Sequence, residues 1–204
     1  MNHPHSRAAF LLVGGKSTRM GANKAFLDFR GQTLLERALR TLRATCGNVT
    51  IVGDPVTFAS YAPAVADVFP NCGPLAGIHT ALAHSEAELN LMLAVDMPFV
   101  SRELLAFIFA VAEGEDNHAI VTVPRTGKGF QPLCAVYRRD FSTTAEQALR
   151  AGRYKIDAAF SSVSVRVIEE DELAAAGFSE QSFFNVNTPQ DRRAAERGDL
   201  DSAT

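Results

Sequence analysis

Three basic side chains follow a pair of glycines near the amino terminus. Gly14 and Gly15 end an apolar run, and Lys16, Arg19 and Lys24 come shortly after them. Glycine lets the backbone come close to a ligand, while guanidinium and ammonium groups neutralise the charge of phosphates. Such a segment is typical of a site that binds the phosphates of a nucleotide. The spacing leaves open whether Lys16 faces the ligand or the solvent.

Two common phosphate-binding motifs are excluded by this spacing. A P-loop requires a glycine five residues before its Gly-Lys pair, and that position is occupied by Phe10. The glycines at positions 14, 15 and 21 do not give the G-x-G-x-x-G pattern of a dinucleotide site either. The segment therefore indicates phosphate chemistry of another kind.

Two acidic residues also stand where a ligand is expected. Asp96 follows the apolar residues 89–95, where a carboxylate could hold Mg²⁺, an ion that takes one or two carboxylates plus substrate phosphates. The alternative is that Asp96 forms a turn or caps a helix. Asp67 precedes Gly73 and Pro74, at which a helix is predicted to begin. The dipole of that helix favours an anion, although Gly-Pro is also a routine helix start.

Alternating apolar runs and helical periodicities predict an α/β fold. Strands are predicted at residues 8–13, 48–53, 89–95, 119–124, 132–137 and 163–168, and helices at 34–46, 74–82, 101–114, 141–151 and 188–197. Thr33 and Glu36 have the spacing of a capping box. The expected architecture is a three-layer α/β/α sandwich on a mainly parallel, Rossmann-like sheet. Such sheets bind ligands at the carboxyl ends of their strands, where we place Gly14, Asp67 and Asp96.

The bulk composition limits the partners. The 204 residues fit one domain, with residues 1–7 and 199–204 expected to be flexible. The net charge of −3 argues against a nucleic-acid partner, and no apolar run is long enough for a membrane span. Cys46, Cys72 and Cys134 form no C-x-x-C pair, so we expect buried thiols in a cytoplasmic protein.

Five segments, in this order, resemble the molybdenum cofactor guanylyltransferase family of the nucleotidyltransferase superfamily, whose fold is of the nucleotide-diphospho-sugar transferase type. The segments are residues 12–21 with Lys24, 73–77, 96–99, 131–137 and 184–189. The glycine segment marks only the superfamily. The Asn-Val-Asn-Thr-Pro motif at 185–189 and Cys-Ala-Val-Tyr at 134–137 indicate the molybdenum cofactor branch.

The resemblance implies an activity and its partners. GMP would be transferred from GTP to the phosphate of molybdopterin, which yields molybdopterin guanine dinucleotide and pyrophosphate in a Mg²⁺-dependent reaction. Transient contacts with molybdoenzymes or their chaperones are implied as well. The residues implied to contact the nucleotide are Leu12, Val13, Gly14, Gly15, Lys24, Asp67 and Asp96.

The resemblance also assigns the catalytic and acceptor groups. Lys24 and Arg19 would neutralise the phosphates, and Asp96 would coordinate Mg²⁺. Asn185 and Asn187 would face the pterin. For these two asparagines an alternative from the residues themselves is an Asx turn that caps the final helix.

Two residues depart from the family pattern, and three alternative functions stay open. Val13 stands where these proteins usually have alanine, and Asn23 where an aspartate is common. A cytidylyltransferase that uses CTP is the nearest alternative, and a sugar-1-phosphate nucleotidyltransferase is disfavoured by the motif at 185–189. A non-catalytic nucleotide-binding or delivery module is a further alternative, against which Lys24 and the two aspartates argue.

Overall fold

The computed structural model describes residues 6–14, 23–114 and 117–197. Its strands are β1 (Arg7–Leu12), β2 (Asp28–Phe29), β3 (Gln32–Thr33), β4 (Val49–Val52), β5 (Ala64–Val65), β6 (Leu89–Ala94), β7 (Val121–Thr126), β8 (Gly129–Phe130), β9 (Cys134–Arg138) and β10 (Val165–Ile168). Its α-helices are α1 (Leu34–Thr45), α2 (Pro55–Phe58), α3 (Pro74–Ala83), α4 (Arg102–Ala112), α5 (Phe141–Arg150), α6 (Ile156–Phe160), α7 (Glu170–Ala175) and α8 (Pro189–Arg197). Short 3₁₀ turns cover Lys24–Phe26 and Glu180–Phe183.

One large mixed sheet organises the described part of the chain. Its strand order is β10-β7-β9-β6-β1-β4-β5, with β8 paired to β7. β1 pairs in parallel with β4 and β6, β4 with β5, and β7 with β10. Among the strands of the described residues in this sheet, only β9 and the short β8 run antiparallel to their neighbours. The predicted, mainly parallel sheet is therefore confirmed.

Both faces of the sheet are buried. In β1, Ala9 and Leu11 belong to the hydrophobic cluster that includes residues of α1 and α4. Phe10 and Leu12 belong to the cluster that includes residues of α3 and α5. Successive side chains of a strand point to opposite faces, so a strand that is apolar throughout requires helices on both sides. The three-layer α/β/α sandwich follows from this pattern.

Local sequence explains where three helices begin. The Thr33 hydroxyl accepts a hydrogen bond from the Glu36 N–H, and the Glu36 side chain accepts one from the Thr33 N–H, so the predicted capping box starts α1. Pro74 lies in the first turn of α3, where its missing N–H has no cost. The Ser101 hydroxyl starts α4 by accepting from the Leu104 N–H at 3.1 Å.

The short elements were not predicted from the sequence. β5 and the β2–β3 hairpin have two residues per strand, which is too few to show a periodicity, and α2, α6 and α7 have at most six residues each. Of these, β5 matters most for function because Asp67 follows it. The sequence analysis placed Asp67 at the carboxyl end of a strand but did not identify the strand that precedes it, which is β5.

The first strand begins earlier than expected. Arg7, which we assigned to a flexible end, opens β1. Its guanidinium pairs with Glu113 and lies 4.9 Å from the centroid of the Phe109 ring, and these contacts hold the residue in place. Residues 1–5 and 198–204 lie outside the described residues.

The cysteines are free thiols. Cys46 and Cys134 are buried as expected, whereas Cys72 is only half-buried. Burial raises the pKa of Cys134 to about 12, so this thiol stays protonated at neutral pH. Among the described residues, no helix is long and apolar enough to cross a membrane.

Candidate active site

A cleft of about 780 Å³ opens at the carboxyl ends of the central strands. It is lined by Leu12, Val13, Gly14, Asn23, Lys24, Val52, Asp67, Pro70, Asn71, Gly73, Pro74, Gly77, Ala94, Val95, Asp96, Leu133 and Asn187. Most of the residues proposed from the sequence to bind the nucleotide are in this set. Gly15, Lys16 and Arg19 lie outside the described residues.

Strand register explains why distant residues meet at the cleft. Leu12 pairs with Ala94 of β6 and with Val52 of β4, which in turn pairs with Val65 of β5. These four residues form one row across the sheet. Gly14, Asp96 and Asp67 each come two residues after a member of that row, so parallel pairing brings them to the same edge.

Lys24 joins two distant segments at this edge. Its Nζ donates hydrogen bonds to Asp96 Oδ2 at 2.6 Å and to Asn187 Oδ1 at 2.7 Å. The side chains of Lys24 and Asp96 are only 14% and 21% exposed, so their ion pair is screened less than a surface pair. The sequence analysis assigned Lys24 to the phosphates and Asp96 to Mg²⁺ without a contact between them, whereas the structure places the two side chains in direct contact.

Asn23 determines where Lys24 points. The 3₁₀ turn Lys24–Phe26 begins at Asn23, whose Oδ1 accepts a hydrogen bond from the Ala25 N–H at 3.1 Å. An aspartate at position 23 could make the same cap, so the asparagine keeps the turn while it removes one negative charge beside the cleft. The departure from the family pattern therefore leaves the position of the lysine intact.

The motif at 185–189 reaches the cleft through a backbone contact. The Val186 N–H donates to the Asp96 carbonyl oxygen at 2.8 Å, and the Val186 side chain is buried in the core. This contact directs Asn187 into the cleft. Asn185 is exposed and lies outside the set of lining residues, and its Nδ2 donates to the Phe183 carbonyl at 3.4 Å.

The Asx-turn alternative for the two asparagines is wrong. The Thr188 hydroxyl accepts the Asp191 N–H at 3.0 Å, and the Asp191 carboxylate accepts the N–H groups of Asn187 and Thr188. Thr188 and Asp191 therefore cap α8. The side chain of Asn187 is left free to bind Lys24.

Asp67 lies on the other side of the cleft. A Cβ added to Gly14 would lie 3.5 Å from Asp67 Oδ2, and one added to Gly77 would lie 3.9 Å from Asp67 Oδ1. Burial raises the pKa of Asp67, and a hydrogen bond with the Thr80 hydroxyl opposes that rise. Among the described residues, Oδ1 of Asp67 and Oδ1 of Asp96 are buried without a hydrogen-bond partner.

The side chain of Val13 occupies the space into which a side chain at position 53 would project. A Cβ at position 53 would lie 2.3 Å from Val13 Cγ2 and 3.2 Å from the Phe58 ring. Valine is stiff about χ1 and cannot easily move away. The valine at position 13 is therefore compatible with this fold because residue 53 has no side chain.

This shared space gives a prediction for stability. We expect Gly53→Ala to lower the free energy of unfolding by about 1–3 kcal/mol, as overpacked cores generally do. Adding Val13→Ala should recover most of the loss because it removes the closest contact. Urea denaturation of the wild type, both single variants and the double variant measures the effect. Additive losses in the double variant would contradict the shared space.

Leu133 and Thr80 were missed by the sequence reasoning. Leu133 reaches the cleft just before β9, which enters antiparallel and so brings its amino end to the edge where the parallel strands end. Thr80 is in the middle of α3 and has no spacing that distinguishes it from a core residue. No pattern in the sequence would have identified either one.

Comparison with known proteins identifies the family. A family model described as "MobA-like NTP transferase domain" matches residues 9–166. The chain belongs to this family. Two curated relatives of this MobA-like transferase are similar over most of their length. One is "Molybdenum cofactor guanylyltransferase" of Desulfosudis oleivorans, at 35% identity with 91% of this chain and 92% of that protein covered. The other is "Probable molybdenum cofactor guanylyltransferase" of Pelotomaculum thermopropionicum, at 36% identity with 89% and 87% covered.

Solved structures agree with the fold of this MobA-like transferase. "Molybdopterin-guanine dinucleotide biosynthesis protein A" from Archaeoglobus fulgidus has a TM-score of 0.81 at 28% identity, and 95% of this chain and 99% of that chain are covered. A 2-C-methyl-D-erythritol 4-phosphate cytidylyltransferase from Thermus thermophilus has a TM-score of 0.66 at 20% identity, with 93% and 97% covered, and shares the fold.

Proposed function

We propose that this MobA-like transferase moves GMP from GTP to the phosphate of molybdopterin and releases pyrophosphate. The observation that carries the proposal is the pair of hydrogen bonds from Lys24 Nζ to Asp96 and Asn187. They bring Lys24, the end of β6 and the motif at 185–189 together in one cleft. The names of the curated relatives support the choice of GTP and of a pterin acceptor.

The proposed reaction needs no nucleophile from the protein. A phosphate oxygen of the acceptor, largely ionised near neutral pH, attacks the α-phosphorus of GTP. The bond from that phosphorus to the bridging oxygen breaks, and pyrophosphate leaves with the electron pair. The protein supplies position and positive charge, which are the main contributions in phosphoryl-type transfers. Lys24 provides charge inside the cleft, and Arg19 is proposed as a second cation.

The residues at the cleft fit a divalent cation. Asp96 Oδ1 is buried and has no hydrogen-bond partner in the described part of the chain, while Oδ2 already binds an ammonium group. No cluster of three or more His, Cys, Asp or Glu residues occurs among the described residues. We therefore propose that Asp96 holds Mg²⁺ together with the triphosphate and water, the mixed ligand set that this ion prefers. When bound, Mg²⁺ would neutralise phosphate charge.

In this proposal, the phosphates of the nucleotide compete with Asp96 and Asn187 for the ammonium group of Lys24. The ammonium binds Asp96 and Asn187, which holds the long side chain in the cleft. Phosphate oxygens offer the same ammonium stronger, more concentrated negative charge. The lysine is thus already in place when the triphosphate arrives, and less side-chain entropy is lost on binding.

Pyrophosphate release tests the proposed function. Purified protein is incubated with Mg²⁺ and either GTP or CTP, and with either molybdopterin or a sugar 1-phosphate as the acceptor. We expect release only from the combination of GTP with molybdopterin. Release from CTP at an equal rate would overturn the assigned base, release with the sugar phosphate would overturn the acceptor, and no release in any combination would indicate a non-catalytic module.

A further inference from the structure

Arg30 lies at the tip of the β2–β3 hairpin, which follows the turn that carries Lys24. Arg30 and Gly31 form the two-residue loop between the strands, and their φ angles are 54° and 78°. Positive φ at both positions is what a type I′ turn requires, and asparagine and glycine adopt it at the least cost. The Cβ of an arginine disfavours this conformation. The geometry of the turn therefore does not account for an arginine at position 30.

The guanidinium group of Arg30 binds the carboxyl end of α8. Its Nη2 donates hydrogen bonds to the carbonyl oxygens of Ala195 at 3.0 Å and Glu196 at 3.2 Å. The last four carbonyl groups of a helix have no partner within that helix, and they form the negative end of its dipole. Both acceptors belong to this set because α8 ends at Arg197. Arg30 thus supplies a cationic cap to a helix 165 positions away in sequence.

The same guanidinium group stacks on a cluster of phenylalanine rings. It lies 5.4 Å from the centroid of the Phe29 ring and 5.9 Å from that of Phe99. Phe99 in turn is in edge contact with Phe29, at 5.6 Å between centroids, and with Phe184, at 6.3 Å. A cation within about 6 Å of an aromatic ring is attracted to its face. These contacts restrict the direction in which the long side chain of Arg30 points.

The cap on α8 has a consequence for Asn187, which comes just before this helix. The side chains of Thr188 and Asp191 hold the amino end of α8, and Arg30 holds its carboxyl end. A helix held at both ends keeps a fixed orientation, and so does the residue at its start. The segment that carries Lys24 therefore holds Asn187 twice, directly through the Lys24 ammonium and at a distance through Arg30.

We propose that Arg30 is a positioning residue for molybdopterin, which it affects by holding Asn187 in the cleft through α8. The inference rests on the proposed function, since Asn187 is taken to face the pterin. Lys24 holds Oδ1 of Asn187, which directs the Nδ2 donors of that amide toward oxygen and nitrogen atoms of the pterin. Arg30 lies outside the set of residues that line the cleft, so it touches neither substrate.

The two substrates should respond differently to the loss of this cap. When Asn187 moves, Asp96 still binds the ammonium of Lys24 and keeps it in the cleft. The charge that faces the phosphates of GTP therefore stays in place. The effect of a substitution at position 30 should fall on molybdopterin and not on GTP.

Two substitutions at position 30 separate the cap from the hairpin turn. Arg30→Gly removes the guanidinium group but suits a φ of 54°, so the hairpin should still form. We expect the KM for molybdopterin to rise about fivefold and the KM for GTP to change less than about twofold. Arg30→Lys keeps a cation that can reach the helix carbonyls and should recover most of the loss. Steady-state pyrophosphate release over a range of each substrate measures both constants.

Two results of this experiment would overturn the proposal. One is an equal KM for molybdopterin in the wild type and Arg30→Gly. The other is a rise in the KM for GTP as large as the rise for molybdopterin, which would show a general distortion of the cleft.

Arg138→Ala is the matched control. The Arg138 guanidinium also donates to two backbone carbonyl groups distant in sequence, those of Ala119 at 3.1 Å and Asn117 at 2.9 Å. Arg138 pairs with Leu89, the first residue of β6, so it lies at the opposite edge of the sheet from the cleft. Its loss should lower the free energy of unfolding without a change in either KM. An equal rise in the KM for molybdopterin in this variant would overturn the positioning role of Arg30.

A double-mutant cycle tests whether Arg30 acts through Asn187. In protein that already carries Asn187→Ala, adding Arg30→Gly should raise the KM for molybdopterin no further, because the side chain that Arg30 positions is gone. A further fivefold rise in the double variant would show that Arg30 acts by another route and would overturn the proposal.

Amide hydrogen exchange, followed by NMR, gives a readout that does not depend on activity. The N–H groups of Asn187 and Thr188 donate to the Asp191 carboxylate at 2.8 and 2.7 Å. Both should exchange about fivefold faster in Arg30→Gly, because α8 is then held at one end only. Absence of pyrophosphate release by the wild type would overturn the proposed function and this inference with it. Equal exchange in the wild type and Arg30→Gly would overturn this inference alone.

Discussion

Asp96→Ala is expected to abolish turnover while the protein stays folded. The carboxylate is the proposed ligand of Mg²⁺ and the partner of Lys24. Its loss should therefore weaken the neutralisation of negative charge around the α-phosphorus. Loss of a single group that stabilises transition-state charge costs on the order of 10²–10³ in kcat, and we expect at least this decrease. Steady-state pyrophosphate release with GTP and molybdopterin measures it, and circular dichroism checks the fold.

Glu113→Gln is the matched control for this variant. Glu113 pairs with Arg7, and its side chain is 21% exposed, the same fraction as that of Asp96. Because Arg7 begins β1, this ion pair lies at the opposite edge of the sheet from the cleft. Turnover should therefore be unchanged in Glu113→Gln. Near-normal activity of a folded Asp96→Ala protein at saturating Mg²⁺ would contradict the metal assignment.

Lys24→Met should lower kcat by about 10²–10³-fold with a smaller effect on the KM for GTP. The Lys24 side chain is only 14% exposed. In the proposed reaction its ammonium faces the negative charge that shifts toward the leaving pyrophosphate, so its contribution should grow in the transition state. Methionine keeps the length and apolar part of the side chain. Initial rates over a range of GTP concentrations separate the two constants.

The distribution of the loss between kcat and KM is the informative result for Lys24. If kcat is unchanged and only KM rises, the lysine binds substrate and transition state equally and has no special role in the chemistry. The melting temperature must accompany the rates, because Asp96 loses its partner in this variant. A decrease in kcat in a protein that melts normally supports the proposed role.

Most of the sheet and its long helices could be predicted because local rules determine them. The capping box at Thr33 and Glu36 and the proline at position 74 mark helix starts without any knowledge of tertiary structure. The apolar strands are long enough to be recognised. β5 is different, since two residues show no periodicity, and its place beside β4 depends on pairing across the sheet.

The candidate site was less predictable because its contacts join distant parts of the chain. Lys24 and Asp96 are 72 positions apart, and Lys24 and Asn187 are 163 apart. The sequence placed Asp96 at the carboxyl end of a strand, but no pattern in it predicted the contacts of Lys24 with Asp96 and Asn187. Their contact depends on the turn capped by Asn23 and on the bond from the Val186 N–H to the Asp96 carbonyl, and neither has a sequence pattern.

The glycine at position 77 allows a direct test of where the nucleotide binds. A Cβ at this position would lie 3.5 Å from the nearest atom of Leu12, an ordinary contact, so the protein itself has room for alanine. Alanine is also favoured over glycine inside a helix by about 1 kcal/mol. The added methyl group would project from α3 at the cleft wall.

The decisive measurement is calorimetric titration of Gly77→Ala with GTP and Mg²⁺, paired with its free energy of unfolding. Gly47→Ala is the control, because a Cβ at position 47 meets no atom within 4 Å and the residue lies before β4, away from the cleft. We predict that Gly77→Ala is at least as stable as the wild type and binds GTP at least about tenfold more weakly, while Gly47→Ala binds normally. Unchanged GTP affinity in a folded Gly77→Ala protein would contradict the assignment of this cleft as the nucleotide site.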